Sequence, residues 1–488
     1  MSGFKIKASK FSIWYALIQC ALLLPALIVI QLNNMVKSEE WRELFGLLLI
    51  IHFMIYFITL KHVKAKFFSL TTILYIFYAI FNFGIAICEG LSYKAEEYYA
   101  VDNLITPLGE KNYYLFSVFC YLVLLLMETG SLNTEILNSN KIKEIQNREV
   151  TQVYSKSEKW WTYKTFTILL CCIIIIPFIY YDFIHISTTL ALGRAGQDTY
   201  SFNGSIIDLI ADMHRLLIFL VLIMIKDKKR IFDMFFGAVI VYLVFRMTAT
   251  GERGLDLITI SLMILLRHYL VRPIKFANAL LLVVFALFML ALLQVIAMTR
   301  FEVNKDLISV FKEVAQDNFI LETIFSFGID IWNGLMVFVA VPATGSFRFG
   351  TTYLAALIAK PMAILGNSSL QNYADYSFFL KDSGRGSLIN SLTNAMGGSF
   401  TGELWFNFGW LSLLIAPLLG YLVKCLDIRL MNLNSENNPI KMAWCYYMAM
   451  WFIWWIRAYF PAMIWYFEFY GAVSICLYIL VRNIRARL

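Results

Sequence analysis

Long apolar runs, each closed by polar or basic residues, recur along the whole chain and dominate what it can fold into. A helix crossing the hydrocarbon core needs roughly 20 mostly apolar residues. Twelve segments reach that length: about 11–31, 44–60, 67–88, 112–130, 162–181, 206–225, 231–249, 254–271, 276–298, 404–423, 442–459 and 462–481. The segment 206–225 departs most from the pattern, since Asp208, Asp212, His214 and Arg215 lie within it. Backbone amides in lipid find no water, so these runs are expected as helices. The short alternating segments of a membrane barrel are missing. Composition agrees: 15% of the 488 residues are charged and 60% hydrophobic, whereas soluble domains average roughly 25% charged. That balance argues against a soluble multidomain enzyme, a disordered scaffold or a nucleic-acid-binding protein.

Basic residues stay on the cytoplasmic side of a membrane, and they fix the expected orientation. With Lys5, Lys7 and Lys10 inside, the inner segments collect 25 of the 41 Lys and Arg but 9 of the 33 Asp and Glu. Every short inner loop is then basic. The sequence therefore predicts an all-α polytopic membrane protein of about twelve transmembrane helices with both termini in the cytoplasm. The first span is expected to remain in place. Its apolar stretch exceeds the 7–15 residues of a signal-peptide core, and Gln31–Asn34 offers no small-residue cleavage motif. The cysteines form no paired outer-loop set, so no disulfide framework is expected.

The inner segment 131–161 is polar and reads as a cytoplasmic linker. Residues 299–403 form the largest connection, assigned to the periplasmic side, between helices one to nine (1–298) and ten to twelve (404–488). Its semi-apolar runs, 331–342 and 353–365, are too short to span and are expected as interfacial or re-entrant helices. The two halves of the chain show no matching loops, which counts against a carrier built from repeats.

A set of arginines falls on the outer face of this map: Arg194, Arg215, Arg246, Arg253, Arg300, Arg348, Arg385 and Arg457. Arg246 and Arg253 bracket the end of the seventh span and the turn Thr250-Gly251-Glu252-Arg253-Gly254. Arginine suits phosphate because its planar fork donates paired hydrogen bonds and keeps its charge when partly desolvated. No ATP exists outside the cytoplasm, so a phosphate-bearing substrate there is most naturally lipid-linked, as in a polyprenyl-diphosphate sugar. The plainer alternative is that these arginines snorkel to lipid phosphates or pair with outer acids.

A second cluster runs Gly397-Gly398-Ser399-Phe400-Thr401-Gly402-Glu403 into Leu404-Trp405-Phe406-Asn407-Phe408-Gly409. Glu403 has two readings. In the first turn of span ten it caps the helix and meets the positive end of its dipole. At the membrane face it is a general base that takes a proton from a sugar hydroxyl. Asn407 lies one turn on, over the same face. Glu468 is a second candidate base, or an ion-pair partner for Arg457. The five histidines are scattered, and no metal or nucleotide motif occurs, so neither a metal nor a cofactor is expected.

Twelve spans with a long late outer loop, T-G-E-R-G at 250–254 and G-E-L-W-F-N-F-G at 402–409 resemble the bacterial Wzy family of O-antigen polymerases. Glu252 stands where that family commonly has Ser. The resemblance implies a metal-independent glycosyltransferase at the periplasmic face of the bacterial inner membrane. It would transfer the growing polysaccharide from undecaprenyl diphosphate to a new lipid-linked repeat unit, with a chain-length regulator (co-polymerase) as partner and membrane lipids around it. It places Arg253 on the pyrophosphate and Glu403 at the outer catalytic face. Preformed donors of this kind contribute a few kcal/mol each when aimed at developing charge; Arg246, Arg300, Arg348, Arg385 and Arg457 would help, and Asn407 would bind substrate.

Three rivals remain. An O-antigen ligase characteristically carries a histidine in its long outer loop, and residues 299–403 have none. A lipid-linked oligosaccharide flippase would spread charge through a central cavity. A metal-dependent sugar transferase would show an acidic pair like D-x-D in the first outer loop, where this chain has only Glu39 and Glu40.

Overall fold

The computed structural model describes residues 9–94, 101–148, 157–192, 206–250, 254–274, 318–375, 398–433 and 438–487, except 38, 345–346 and 365–368, together with 288, 289, 291, 292 and 295. Every regular element among them is helical. In chain order these are α1 (Lys10–Leu32), α2 (Trp41–His62), α3 (Leu70–Gly90), α4 (Glu110–Arg148), α5 (Ser157–Leu192), α6 (Ile206–Asp212), α7 (His214–Met224), α8 (Lys229–Thr250) and α9 (Gly254–Leu266). There follow α10 (Phe319–Gly328), α11 (Ile331–Thr344), α12 (Thr351–Ile364), α13 (Ser369–Ala374), α14 (Phe400–Phe408), α15 (Ser412–Met431), α16 (Pro439–Trp454) and α17 (Phe460–Arg487). Serine side chains start several of them. Ser9 accepts from the Ser12 N–H at 3.1 Å and Ser69 from the Thr72 N–H at 3.2 Å, each satisfying an amide that the first turn leaves open.

Ten helical stretches among the described residues are long and apolar enough to cross a bilayer. Nine coincide with expected spans. The tenth, Phe319–Pro342, lies inside the segment expected as a periplasmic loop. It joins α10 and α11 almost without a break: the Ile329 N–H reaches Phe325 O at 3.2 Å and the Trp332 N–H reaches Ile329 O at 3.0 Å. Glu322, Asp330 and Asn333 interrupt its hydropathy, which is why only 331–342 stands out in the sequence. Those polar residues persist because protein buries 72% of an 18-residue window of this stretch, against 17% of such a window in Trp161–Thr189. The expected loop 299–403 thus contains a stretch of span length.

The remaining expectations differ in kind. Segment 206–225 is two helices, α6 and α7, broken at Met213, and α16 has 16 residues before a short 3₁₀ turn at Trp455–Arg457. The expected span 276–298 falls outside the described residues except at five positions.

The chain forms two compact units. The first comprises residues 1–149, 324–427 and 455–465; the second comprises 150–323, 428–454 and 466–488. In the first, helix backbones touch where only hydrogen occupies the Cα position. A Cβ at Gly46 of α2 would lie 1.8 Å from Ala86 O of α3, and one at Gly420 of α15 would lie 1.9 Å from Met127 O of α4. Small residues permit this close approach of apolar helices.

Several buried charges in this unit are paired. Arg42, fully buried, bonds Glu89 and Glu110. Glu128 accepts from Tyr15 at 2.6 Å and meets His52 Nε2 at 2.9 Å. Lys424 reaches Asp427 and Glu135, both at 2.8 Å, and Asp427 also accepts from the Leu70 N–H and the Thr71 hydroxyl, each at 3.0 Å. One carboxylate therefore caps α3 and neutralises a buried ammonium on α15. Removing one partner of a buried ion pair typically costs 3–5 kcal/mol. We expect Asp427→Ala to cost about 3 kcal/mol, because Glu135 still holds Lys424. Denaturant unfolding of the purified protein in detergent measures this; an unchanged midpoint contradicts it.

Candidate active site

The sequence marks eight residues for the chemistry. Glu403, Asn407, Arg348 and Arg457 are described in the first unit and Arg246 in the second. Arg253, Arg300 and Arg385 lie outside the described residues, as does Arg194.

Helix α14 carries the G-E-L-W-F-N-F-G string. Its cap is Ser399, whose hydroxyl accepts from the Gly402 N–H at 3.1 Å. Thr401 donates to Asn82 Oδ1 at 3.0 Å and ties the helix start to α3. Glu403 does not use its carboxylate on its own helix. Oε2 accepts from the Trp455 indole N–H at 2.6 Å, and Oε1 from the Phe460 backbone N–H at 2.8 Å. Phe460 opens α17, so the capping expectation is corrected: the carboxylate caps a different helix. Glu403 is 3% exposed.

Asn407 is equally committed. Its Oδ1 accepts from the Gly350 N–H at 3.1 Å and the Thr352 hydroxyl at 2.7 Å, while Nδ2 donates to Glu403 O at 3.0 Å. The backbone follows the same line: the Arg348 N–H reaches Phe406 O at 3.2 Å and the Phe349 N–H reaches Asn407 O at 2.7 Å. Expected to bind substrate, Asn407 is found fastening the 348–352 turn to α14. That turn passes through the left-handed region at Phe349 (φ 48°) and Gly350 (φ 79°). Gly409 ends the motif at φ 53°, against the Phe347 ring, which a Cβ would approach to 2.6 Å.

Two guanidinium groups are presented by the segments that α14 holds. Arg348 is half-buried just before α12, 5.1 Å from the Tyr373 ring centroid and 5.7 Å from that of Phe406. Cation–π contacts of this kind help orient the fork. Beside it the Thr351 and Tyr373 hydroxyls lie 2.7 Å apart. Arg457 pairs with Asp330 at 2.9 Å, lies 5.6 Å over the Phe81 ring and keeps 30% of its side chain exposed. Burial first, and then the Glu403 carboxylate, push the Tyr353 hydroxyl in α12 well above its ordinary range. It remains a neutral group, with its ring 4.8 Å from that of Phe460.

Arg246, in the second unit, belongs to a buried chain of charges. Its Nε donates to Asp182 at 2.8 Å and its Nη1 to Asp256 at 2.6 Å. Asp256 also accepts from Arg215 at 2.9 Å, and Arg215 donates to Asp212 at 2.6 Å. Tyr242 closes the chain on Asp182 at 2.6 Å. Arg246 is 2% exposed and Asp256 1%. Arg246, expected from sequence to bind substrate, is bonded into this buried network. Asp182 ends one apolar run, Asp212 and Asp256 begin others, and Arg246 closes the fourth, so the network gathers the ends of four consecutive segments. The sequence flagged Asp212, Arg215 and Arg246 singly. Neither Asp256 nor Trp455 stood out in the sequence.

A cleft of about 370 Å³ lies at the ends of α2 and α3, lined by Glu39, Glu40, Glu43, Glu89, Ser92, Tyr93 and Lys94. Four carboxylates repel a diphosphate, so this is not the phosphate site. Among the described residues no group of three or more His, Cys, Asp or Glu is arranged to hold a metal ion.

The family model described as O-antigen polysaccharide polymerase Wzy covers residues 15–485, nearly the whole chain. No curated protein and no solved structure matches it.

The charge chain in the second unit predicts its own sensitivity. Asp256→Ala leaves Arg215 and Arg246 facing each other without their shared carboxylate and is expected to cost about 3–5 kcal/mol. Arg246→Lys is expected to cost nearly as much as Arg246→Ala, because one ammonium cannot replace a fork that serves two carboxylates. Thermal unfolding of the detergent-solubilised variants measures both, and wild-type transitions would show the network to be incidental.

Proposed function

We propose that this chain, which belongs to the O-antigen polysaccharide polymerase Wzy family, forms glycosidic bonds between lipid-linked oligosaccharide repeat units at the periplasmic face of the bacterial inner membrane. The match over residues 15–485 carries this reading. The family implies polymerisation of O-antigen units in the membrane, and ten stretches of span length fit a multi-pass protein. The finer chemistry is our own reading of the residues.

A hydroxyl of the acceptor repeat unit attacks C1 of the sugar at the reducing end of the donor polymer. The bond between C1 and the diphosphate oxygen breaks, undecaprenyl diphosphate departs with the electron pair, and the hydroxyl proton is released to water. The cost of that step lies in the charge gathering on the leaving group. Donors already in place for it lower the barrier because they need no reorganisation during the reaction. Arg348 and Arg457 suit this role, since both are only partly buried and both are oriented by aromatic rings. Arg253, Arg300 and Arg385 are assigned to the same leaving group by sequence. On this reading the arginines do what a divalent metal does in other sugar transferases, and the reaction needs no metal. A co-polymerase that sets chain length is the expected protein partner.

Ligation of finished polymer to a lipid core uses the same donor, and transport uses the same lipid-linked unit without new bonds. The family match favours polymerisation over both. In cells whose own polymerase is deleted, this chain is expected to restore a ladder of long polysaccharide from its cognate repeat unit. Arg253→Ala and Arg348→Ala, expressed at normal level, are each expected to reduce polymerisation about 10²–10³-fold, the loss seen when a donor to developing charge is removed. Single repeat units should still reach the lipid core. An unchanged ladder on a polysaccharide gel would remove the substituted arginine from the site.

A further inference from the structure

We propose that Glu403 is a positioning residue for Arg457: its carboxylate pins the Trp455–Phe460 turn from both sides and so fixes where that guanidinium stands. The inference rests on the reading in which arginines hold the diphosphate, and it gives Glu403 a different role from the proton acceptor expected from sequence.

The turn Trp455–Tyr459 separates α16 from α17 and has little regular structure of its own, with one 3₁₀ turn at Trp455–Arg457. Arg457 sits inside it. Two residues before, the Trp455 indole N–H donates to Glu403 Oε2 at 2.6 Å; three residues after, the Phe460 N–H donates to Oε1 at 2.8 Å. A single carboxylate thus takes one bond on each side of the arginine. The second bond falls on the first amide of a 28-residue helix, one of the N–H groups that a helix start leaves without an internal partner. Gly398, five residues before Glu403, adds a third restraint. It lies so close to the turn that a Cβ there would come within 2.1 Å of the Ala458 carbonyl carbon. Glu403 and Gly398 belong to one continuous segment, which Ser399 and Thr401 fix to its own helix and to α3.

Held in this way, Arg457 keeps its ion pair with Asp330, its place over Phe81 and 30% of its side chain exposed. Glu403 has the opposite surroundings. It is 3% exposed, and each of its oxygens already accepts a hydrogen bond from the protein. A general base must meet the proton it removes directly or through one water. Nothing in these contacts offers Glu403 such a partner, whereas both of its carboxylate bonds lead to the segment that carries Arg457.

The test is a mutant cycle on the purified protein in lipid vesicles, with the lipid-linked repeat unit as substrate. The variants are Glu403→Gln, Trp455→Phe, Arg457→Ala and the two doubles with Arg457→Ala, each checked for an intact thermal transition. Trp455→Phe is the second probe, since it keeps an aromatic ring and removes the donor. Residues that act through one another show non-additive losses. We expect Arg457→Ala to lower turnover about 10²-fold and Glu403→Gln and Trp455→Phe about tenfold each, with no further loss from either in the Arg457→Ala background. The pH–rate profile of Glu403→Gln should keep its wild-type shape. Losses that multiply with Arg457→Ala, wild-type turnover in Trp455→Phe, or a pH limb that disappears in Glu403→Gln would overturn the assignment and return Glu403 to the base. Wild-type turnover in Arg457→Ala would overturn it too, and would also strike Arg457 from the proposed diphosphate site. Multiplying losses with an impaired Arg457→Ala would leave that site standing.

Discussion

An ionised side chain inside an apolar helical bundle persists only beside its counter-charge, and that requirement organises this protein. Leaving one such group uncompensated costs several kcal/mol, a large share of the net stability of any fold. The chain meets the requirement at fixed places. Arg42 is shared by Glu89 and Glu110, Lys424 by Asp427 and Glu135, and Arg246 and Arg215 share Asp256. Each set joins separate helices, so each specifies which helices become neighbours. Apolar surface alone could not do this, because one leucine-rich face fits another almost anywhere.

The same rule divides the arginines between two roles. Arg42, Arg215 and Arg246 are at most 3% exposed and are bound by carboxylates on two or more elements. Their charge is consumed by the frame. Arg348 and Arg457 stand in turns beside α14, half-buried, oriented by aromatic rings and, for Arg457, by its ion pair with Asp330. Helix α14 supports both turns, through Asn407 on one side and Glu403 on the other. The motif region thus holds two turns that each carry an arginine.

Much of this was legible in the sequence. Apolar length located nine of the spans, since a run such as 11–31 or 462–481 has one use in a protein this poor in charge. What apolar length missed is a span-length stretch inside the expected outer loop. Phe319–Pro342 contains Glu322, Asp330 and Asn333 and yet forms a helical stretch of span length, because protein surrounds most of it and Asp330 has Arg457. Periodicity and hydropathy contain no term for a partner more than a hundred residues away. The candidate site shows the same limit. The position of Glu403 in the first turn of a helix marked it as a cap, but the helix it caps begins 57 residues later, and only packing reveals that. Asp182 and Asp256, one on each side of Arg246 in sequence, gave no sign of converging on it.

The central claim is that cations held by the protein stabilise a diphosphate leaving group while a glycosidic bond forms. It is tested most directly by supplying purified protein in lipid vesicles with undecaprenyl-diphosphate-linked repeat units and a strong metal chelator, and measuring the mass of the saccharide chains. The account predicts chains that lengthen by whole repeat units, with one undecaprenyl diphosphate released per bond. Repeat units that cross the membrane unjoined, or chains that lengthen only when a divalent metal is restored, would contradict it.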